Sequence, residues 1–141
     1  MNQLDWLIGH RFDAVVRREF SWGFIFDDHI AIESQSIWRL LEHGRIIVAS
    51  EDEGQAFGRP TPVDLVVEVR LRISGSIVTE VELQAGTLDL RLQFGSGHAL
   101  ELISNSSGYE SWAATSPGRR FIAVGGGDLA IFNDAGERVE R

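Results

Sequence analysis

One alternating apolar pattern occurs twice in this chain and limits the folds that it can adopt. In residues 20–26 four aromatic side chains occupy every second position, and in residues 88–94 three leucines and a phenylalanine do the same. An extended strand places alternate side chains on one face, so both segments predict strands with an apolar face. A three-residue turn follows each segment, Asp27–His29 or Gly95–Gly97, and then another apolar strand. The sequence therefore predicts two β-hairpins.

The two hairpins match each other at an offset of 68 positions (94 minus 26). In each hairpin the three-residue turn pairs residues of the same face, Phe24 with Ile32 and Leu92 with Leu100. This pairing keeps the apolar sides in register. The matches predict an internal duplication of a helix-plus-β-meander unit, with pseudo-twofold symmetry.

Each unit opens with a predicted helix. Residues Asn2–Gly9 fit a short helix, with Asn2 as its cap and Gly9 at its end. In the second unit Thr61 is a candidate cap and Pro62 a favoured first helical residue, which predicts a helix over residues 62–73. Apolar residues also alternate over this segment, as they do in a strand. The capped start of the first unit favours the helix.

The predicted fold class is α+β, mostly antiparallel β, in a single domain of residues 1–141. Two sheets, or one curved sheet, would bury the aromatic faces, and helix 62–73 would cover an open side. Trp38 and Trp112 occupy matching positions and fit core pillars better than an aromatic binding wall. The predicted organisation is repeat one at about 2–50, a linker at 51–61, repeat two at about 62–132 and a polar tail at 133–141.

The acidic character of the chain limits its partners. The formal net charge is −8 and the sequence pI is about 4.9, which argues against binding to nucleic acid or to an anionic membrane. A field of this sign steers association with a basic partner, although it also serves solubility alone. The chain has no cysteine and no apolar run long enough to span a membrane, and its first residues lack signal-peptide features. We therefore expect a cytoplasmic location.

No catalytic or metal-binding motif is evident in the sequence. The four histidines include no pair with the spacing of metal ligands. A cation at Asp27–His29 is an alternative to a plain polar turn, and the turn is favoured because aspartate is common there. Ser96 lies in a hairpin turn rather than in a hydrolase elbow, and Gly125–Gly127 precedes a strand rather than a phosphate-binding helix. The sequence predicts no catalytic residue, metal or cofactor.

Two acidic segments supply the candidate partner-binding residues. Glu51, Asp52 and Glu53 form the most concentrated charge of the chain, and Asp27 and Asp28 lie at the first hairpin turn. A solvated loop is the alternative interpretation of each segment.

The chain resembles a family of small bacterial domains of unknown function, over most of its length from Gly9 to Phe132. The segments that carry the resemblance are Phe20–Phe26, Ile30–Ile32, Tyr109–Trp112, Pro117-Gly118, Phe121–Val124, Gly125–Gly127 and Leu129–Phe132. The resemblance implies a small, non-enzymatic protein. Some similar domains look like immunity proteins encoded beside secreted polymorphic toxins.

We therefore expect a non-enzymatic protein-binding domain, an immunity-type protein that neutralises a cognate bacterial toxin by occluding its active site. The expected partner is a toxin domain with a basic cleft. The alternative is a small-ligand or accessory binding module with its site between the two repeats. A third hypothesis is an enzyme that uses the histidines.

Overall fold

The computed structural model describes residues 2–139, which form two antiparallel β-sheets, one α-helix and three short 3₁₀ turns. The strands are β1 (Phe12–Arg17), β2 (Trp22–Phe26), β3 (Ala31–Ser34), β4 (Ile37–Glu42), β5 (Arg45–Ala49), β6 (Val78–Leu83), β7 (Leu90–Phe94), β8 (His98–Ile103), β9 (Trp112–Ser116), β10 (Arg119–Val124) and β11 (Asp128–Asn133). The α-helix α1 is Leu65–Ile73, and the 3₁₀ turns are Asp5–Leu7, Ser50–Asp52 and Gly125–Gly127. The predicted α+β class, mostly antiparallel β, is confirmed. Within residues 2–139, no helix combines the length and apolar character that crossing a membrane requires.

Strands from both halves of the chain mix in each sheet. The six-stranded sheet has the order β1-β2-β3-β9-β10-β11, and the five-stranded sheet has the order β5-β4-β8-β7-β6. In the first sheet β1, β2 and β3 are followed by their neighbours β9 and β10. In the second sheet, taken from its other edge, β6, β7 and β8 are followed by β4 and β5. In this order β6–β10 occupy places that correspond to those of β1–β5, and β11 is an additional edge strand. We call residues in such corresponding places counterparts.

Both predicted hairpins are present, with the predicted register. Phe24 pairs with Ile32 between β2 and β3, and Leu92 pairs with Leu100 between β7 and β8. A slip of one residue would turn every core side chain toward solvent, so the alternating pattern is enough to fix this pairing.

The core lies between the two sheets. Trp38 on β4 is fully buried, and its ring meets those of Trp22 and Phe24 in the other sheet at centroid distances of 5.4 and 5.2 Å. Burial of each such side chain contributes about 2–3 kcal/mol. Trp112, the counterpart of Trp38, is also buried, as expected of a core pillar.

The helix α1 begins at Leu65, so the predicted start at residue 62 with Thr61 as cap is wrong. Asp64 is the cap, and its carboxylate accepts a hydrogen bond from the amide of Val67 at 3.3 Å. Residues 62–64 lie outside the helix because buried Val63 exchanges two backbone hydrogen bonds with residues 54 and 55. A tertiary contact therefore delays the helix by one turn.

The buried face of α1 resolves the choice between helix and strand. Leu65, Val69 and Ile73 are fully buried and recur every fourth residue, which is the helical period. The helix contacts β1 of one sheet and β5 of the other. It therefore covers an open side between the sheets, as the sequence indicates.

The first predicted helix is shorter than expected. Of Asn2–Gly9 only Asp5–Leu7 is helical, as a single 3₁₀ turn. Ile8 is already extended, with ψ of 133°, and the amide of Gly9 donates to Val78 O on β6 at 2.8 Å. A hydrogen bond to a distant strand thus ends the helix earlier than the local sequence predicts.

Candidate functional site

A cleft of about 530 Å³ lies where the turn between β1 and β2 approaches the end of β5. Residues 17–22 line one side, and residues 34–37 together with residues between Ser50 and Gln55 line the other. We call it the first cleft. It combines charged side chains with an exposed aromatic ring.

Phe20 supplies the exposed ring. Its side chain is 84% exposed, which forgoes the roughly 2 kcal/mol or more that burial of a phenylalanine contributes. Trp22, two residues later, is buried, and the guanidinium of Arg17 lies 5.0 Å from its ring centre. Exposed aromatic side chains that stand beside charged groups are typical anchors of protein interfaces.

The arginines of the first cleft are paired within the protein. Arg17 lies 3.2 Å from a carboxylate oxygen of Glu53, and Arg18 Nε lies 2.7 Å from Glu33. Arg18 reaches Glu33 across Gly23, where a Cβ would lie 2.9 Å from the guanidinium. The positive charges of the cleft are therefore already neutralised by neighbouring carboxylates.

Of the predicted acidic run, Glu51 is the residue that remains available to a partner. Asp52 accepts a hydrogen bond from the last amide of β5 at 2.9 Å, and Glu53 accepts one from the first amide of α1 at 2.9 Å. Glu51 and Glu19 are exposed, and neither forms an ion pair with any residue between 2 and 139. Asp52 and Glu53 thus stabilise the fold, whereas Glu51 and Glu19 give the cleft its negative charge.

The other predicted acids, Asp27 and Asp28, lie at the β2–β3 turn beside His10. His10 Nδ1 is 2.8 Å from Asp27 Oδ1 and 3.5 Å from Asp28 Oδ2. The hydrogen bond with His10 lowers the pKa of Asp27 below its usual value. Sequence reasoning considered His29 for this position and missed His10, because only the pairing of β1 with β2 brings His10 to the turn.

The two groups of predicted partner-binding residues lie at opposite ends of the strands. Strand β1 begins beside His10, and its last residue, Arg17, lines the first cleft. Six residues of strand span about 20 Å, so the β2–β3 turn is about that far from the cleft. An interface confined to the first cleft therefore includes Glu51 and excludes Asp27 and Asp28.

A second group of polar side chains, Ser96, His98 and Glu42, lies at the β7–β8 turn. Ser96 Oγ is 3.0 Å from His98 Nδ1, and His98 Nε2 lies 3.0 Å from Glu42 Oε2 without the alignment of a hydrogen bond. These are the residue types of a hydrolase triad, which also needs free backbone amides beside the serine. The amides of Gly95 and Gly97 both donate to carbonyl oxygens, at 2.9 and 3.0 Å. The contacts link the β7–β8 turn to Glu42 on β4.

The second half of the chain has a cleft of about 540 Å³ at the place that corresponds to the first cleft. We call it the second cleft; Leu88 and Leu129 line it, and Asp128 is its exposed acid. Gly127 packs so closely here that a Cβ would lie 2.0 Å from Gly86 O. Close backbone packing thus accounts for Gly125 and Gly127, and the left-handed backbone of Gly126 (φ 81°) is consistent with the predicted turn.

Comparison with known proteins assigns no relative. No protein-family model, curated protein or solved structure matches this chain. The resemblance noted from the sequence therefore stays a prediction.

Proposed function

We propose that this chain is a non-enzymatic protein-binding domain of the immunity type, which neutralises a cognate bacterial toxin by occluding its active site. The observation that carries the proposal is the first cleft, where Phe20 is 84% exposed and lines the cleft together with the exposed acids Glu19 and Glu51. An exposed ring flanked by negative charge offers a partner both apolar area and electrostatic attraction.

The partner that fits this surface has a basic cleft. Lysine or arginine side chains of the partner can lie against the face of Phe20 and pair with Glu51, since cations bind aromatic faces and carboxylates alike. The net charge of −8 steers such a partner toward the protein over longer distances. Toxins that act on nucleotides or nucleic acids bind phosphates in basic clefts, so a carboxylate-bearing surface would compete with their substrates.

We also infer that the fold arose by duplication of a helix-plus-β-meander unit and has pseudo-twofold symmetry. The pairing register supports this inference. Ala31 on β3 pairs with Thr115 on β9. Ala99 lies 68 positions after Ala31, Leu41 lies 74 positions before Thr115, and these two residues also pair with each other. Strands β1 and β6 also share a register shift directly after their first residue.

The proposal is tested by growth of a strain that lacks this gene and expresses the neighbouring toxin effectors one at a time. We expect one effector to stop growth, wild-type protein to restore it, and Glu51→Arg to restore it poorly. Asp128→Arg makes the same charge change at the second cleft and should protect like wild type. Growth of the deletion strain with every effector would contradict the function, and full protection by Glu51→Arg would contradict the site.

A further inference from the structure

Three metal-binding side chains from two separate segments converge at the β2–β3 turn. The ligand atoms His10 Nδ1, one Asp27 oxygen and one Asp28 oxygen all lie within 4.8 Å of one another. The set is not simply acidic, because an imidazole nitrogen from the start of β1 meets two carboxylates of the turn. Side chains of His10 and Asp27 are 26% and 23% exposed, so both are partly shielded while the group remains open to an entering ion.

Backbone hydrogen bonds hold two of the three ligands, His10 and Asp27, in place. The amide of Val78 donates to His10 O at 2.9 Å, which ties His10 to β6. The amide of Asp27 donates to Arg11 O at 3.0 Å, which ties the turn to the residue after His10. Ligands fixed by neighbouring strands lose little conformational freedom when an ion binds, and preorganisation of this kind favours binding.

The corresponding place in the other half shows that the fold does not need these side chains. Ser76 replaces His10, and Gly95 and Ser96 replace Asp27 and Asp28. The amide of Gly95 nevertheless donates to Ile77 O at 2.9 Å, the counterpart of the contact from Asp27. All three potential ligands are thus present together in one half and absent together from the other.

We propose that His10, Asp27 and Asp28 bind a divalent transition-metal ion of the zinc type. Zinc takes histidine nitrogen and carboxylate oxygen at about 2.0–2.2 Å, so tetrahedral ligands lie about 3.4 Å apart. The distance from His10 Nδ1 to Asp28 Oδ2, 3.5 Å, already fits this geometry. When an ion binds, the distance from His10 Nδ1 to Asp27 Oδ1 has to increase from 2.8 Å by about half an ångström.

Three protein ligands leave one tetrahedral position for water or for a side chain of a second protein. Magnesium and calcium prefer all-oxygen ligands, so the histidine selects against them. This metal site is independent of the function proposed for the first cleft, which lies at the other end of the strands.

The test is calorimetric titration of the full chain with Zn²⁺ at pH 7, alone and in excess Mg²⁺. We expect one ion per chain in both conditions. His10→Ser, which copies the counterpart residue Ser76, should weaken binding about 100-fold, because removing a ligand costs at least as much as losing its supporting contacts. His29→Asn is the matched control, since asparagine tolerates the left-handed backbone of residue 29 (φ 60°) and leaves the ligand set intact.

A second measurement on the wild-type protein needs no variant. In nitrogen-detected spectra of the imidazoles, Zn²⁺ should shift the Nδ1 signal of His10 and leave that of His29 in place. The proposal would be overturned if the protein took up no Zn²⁺ or if Mg²⁺ displaced it. It would also be overturned if His10→Ser bound Zn²⁺ as well as wild type or if His29→Asn lost as much affinity as His10→Ser.

Discussion

The two turns that close the hairpins of this protein share their backbone contacts and differ in their side chains. The amide of Asp27 donates to Arg11 O at 3.0 Å, and the amide of Gly95 donates to Ile77 O at 2.9 Å. The first turn carries aspartates, whereas the second carries glycine and serine. Since a glycine-serine turn closes the corresponding β7–β8 hairpin, the geometry of such a hairpin does not require the charges of the first turn.

The two clefts differ in the same way. The first cleft exposes Phe20 and Glu51, whereas the second, of similar volume, has the close contact between the backbones of Gly127 and Gly86 in its wall. Under the proposed function, the features that serve recognition lie in the first half of the chain. The following substitutions test that difference.

The largest effect is expected where the second cleft is packed most tightly. Gly127 and Gly54 have similar backbone angles, φ 86° and 77°. A Cβ at Gly127 would lie 2.0 Å from Gly86 O, whereas a Cβ at Gly54 would have no described atom within 4 Å outside its chain neighbours. Gly127→Ala should lower the free energy of unfolding by about 3 kcal/mol or more, and Gly54→Ala by about 1–2 kcal/mol, the cost of the left-handed backbone alone. Denaturant unfolding measures both, and equal losses would contradict the packing argument.

A smaller effect distinguishes the two core tryptophans. Trp112 Nε1 donates to Leu88 O at 2.9 Å, whereas Trp38 Nε1 is buried without a hydrogen-bond partner among residues 2–139. Both changes to phenylalanine leave a cavity, but only Trp112→Phe also removes a hydrogen bond, and it leaves Leu88 O with the longer contact from Ser104 Oγ at 3.4 Å. We expect Trp112→Phe to cost about 1–2 kcal/mol more than Trp38→Phe in denaturant unfolding. The reverse order would show that packing at Trp38 outweighs the hydrogen bond.

The smallest effect concerns acid titration at the β2–β3 turn. The hydrogen bond with His10 lowers the pKa of Asp27, so this contact stabilises the fold above the usual aspartate pKa of about 3.9. Its contribution is lost as the pH falls through the lowered pKa. Carbon-detected titration should find the pKa of Asp27 below the usual range in wild type and higher in His10→Ser. An identical pKa in both proteins would exclude His10 as the cause.

The hairpins were predictable from the sequence because their register depends on local alternation. The pairs Phe24–Ile32 and Leu92–Leu100 follow from the turn length and the apolar faces alone. The bounds of the helices were not predictable from the sequence, because backbone hydrogen bonds of Val63 and a hydrogen bond from Gly9 to β6 shift them. Neither contact leaves a trace in the nearby residues.

The candidate sites were predictable only in part. Glu51 is exposed as expected of an acidic run, but the sequence does not show that Asp52 and Glu53 cap neighbouring backbone. Phe20 looks like one more core residue, since it continues the alternation of β2, yet it lies before the strand begins and is exposed. An apolar residue just outside a strand boundary was the signal that could have identified it.

Affinity capture from native cells tests most directly the claim that the first half carries recognition. The experiment compares three tagged proteins, which are the wild type, a first-cleft variant that combines Glu51→Arg with Phe20→Ala, and the variant Asp128→Arg. The proteins that each one binds are identified by mass spectrometry. We predict that wild type and Asp128→Arg retain one stoichiometric toxin domain with a basic surface, encoded beside this gene, and that the first-cleft variant loses it. Retention of that domain by the first-cleft variant, loss through Asp128→Arg, or a wild-type preparation without it would contradict the account.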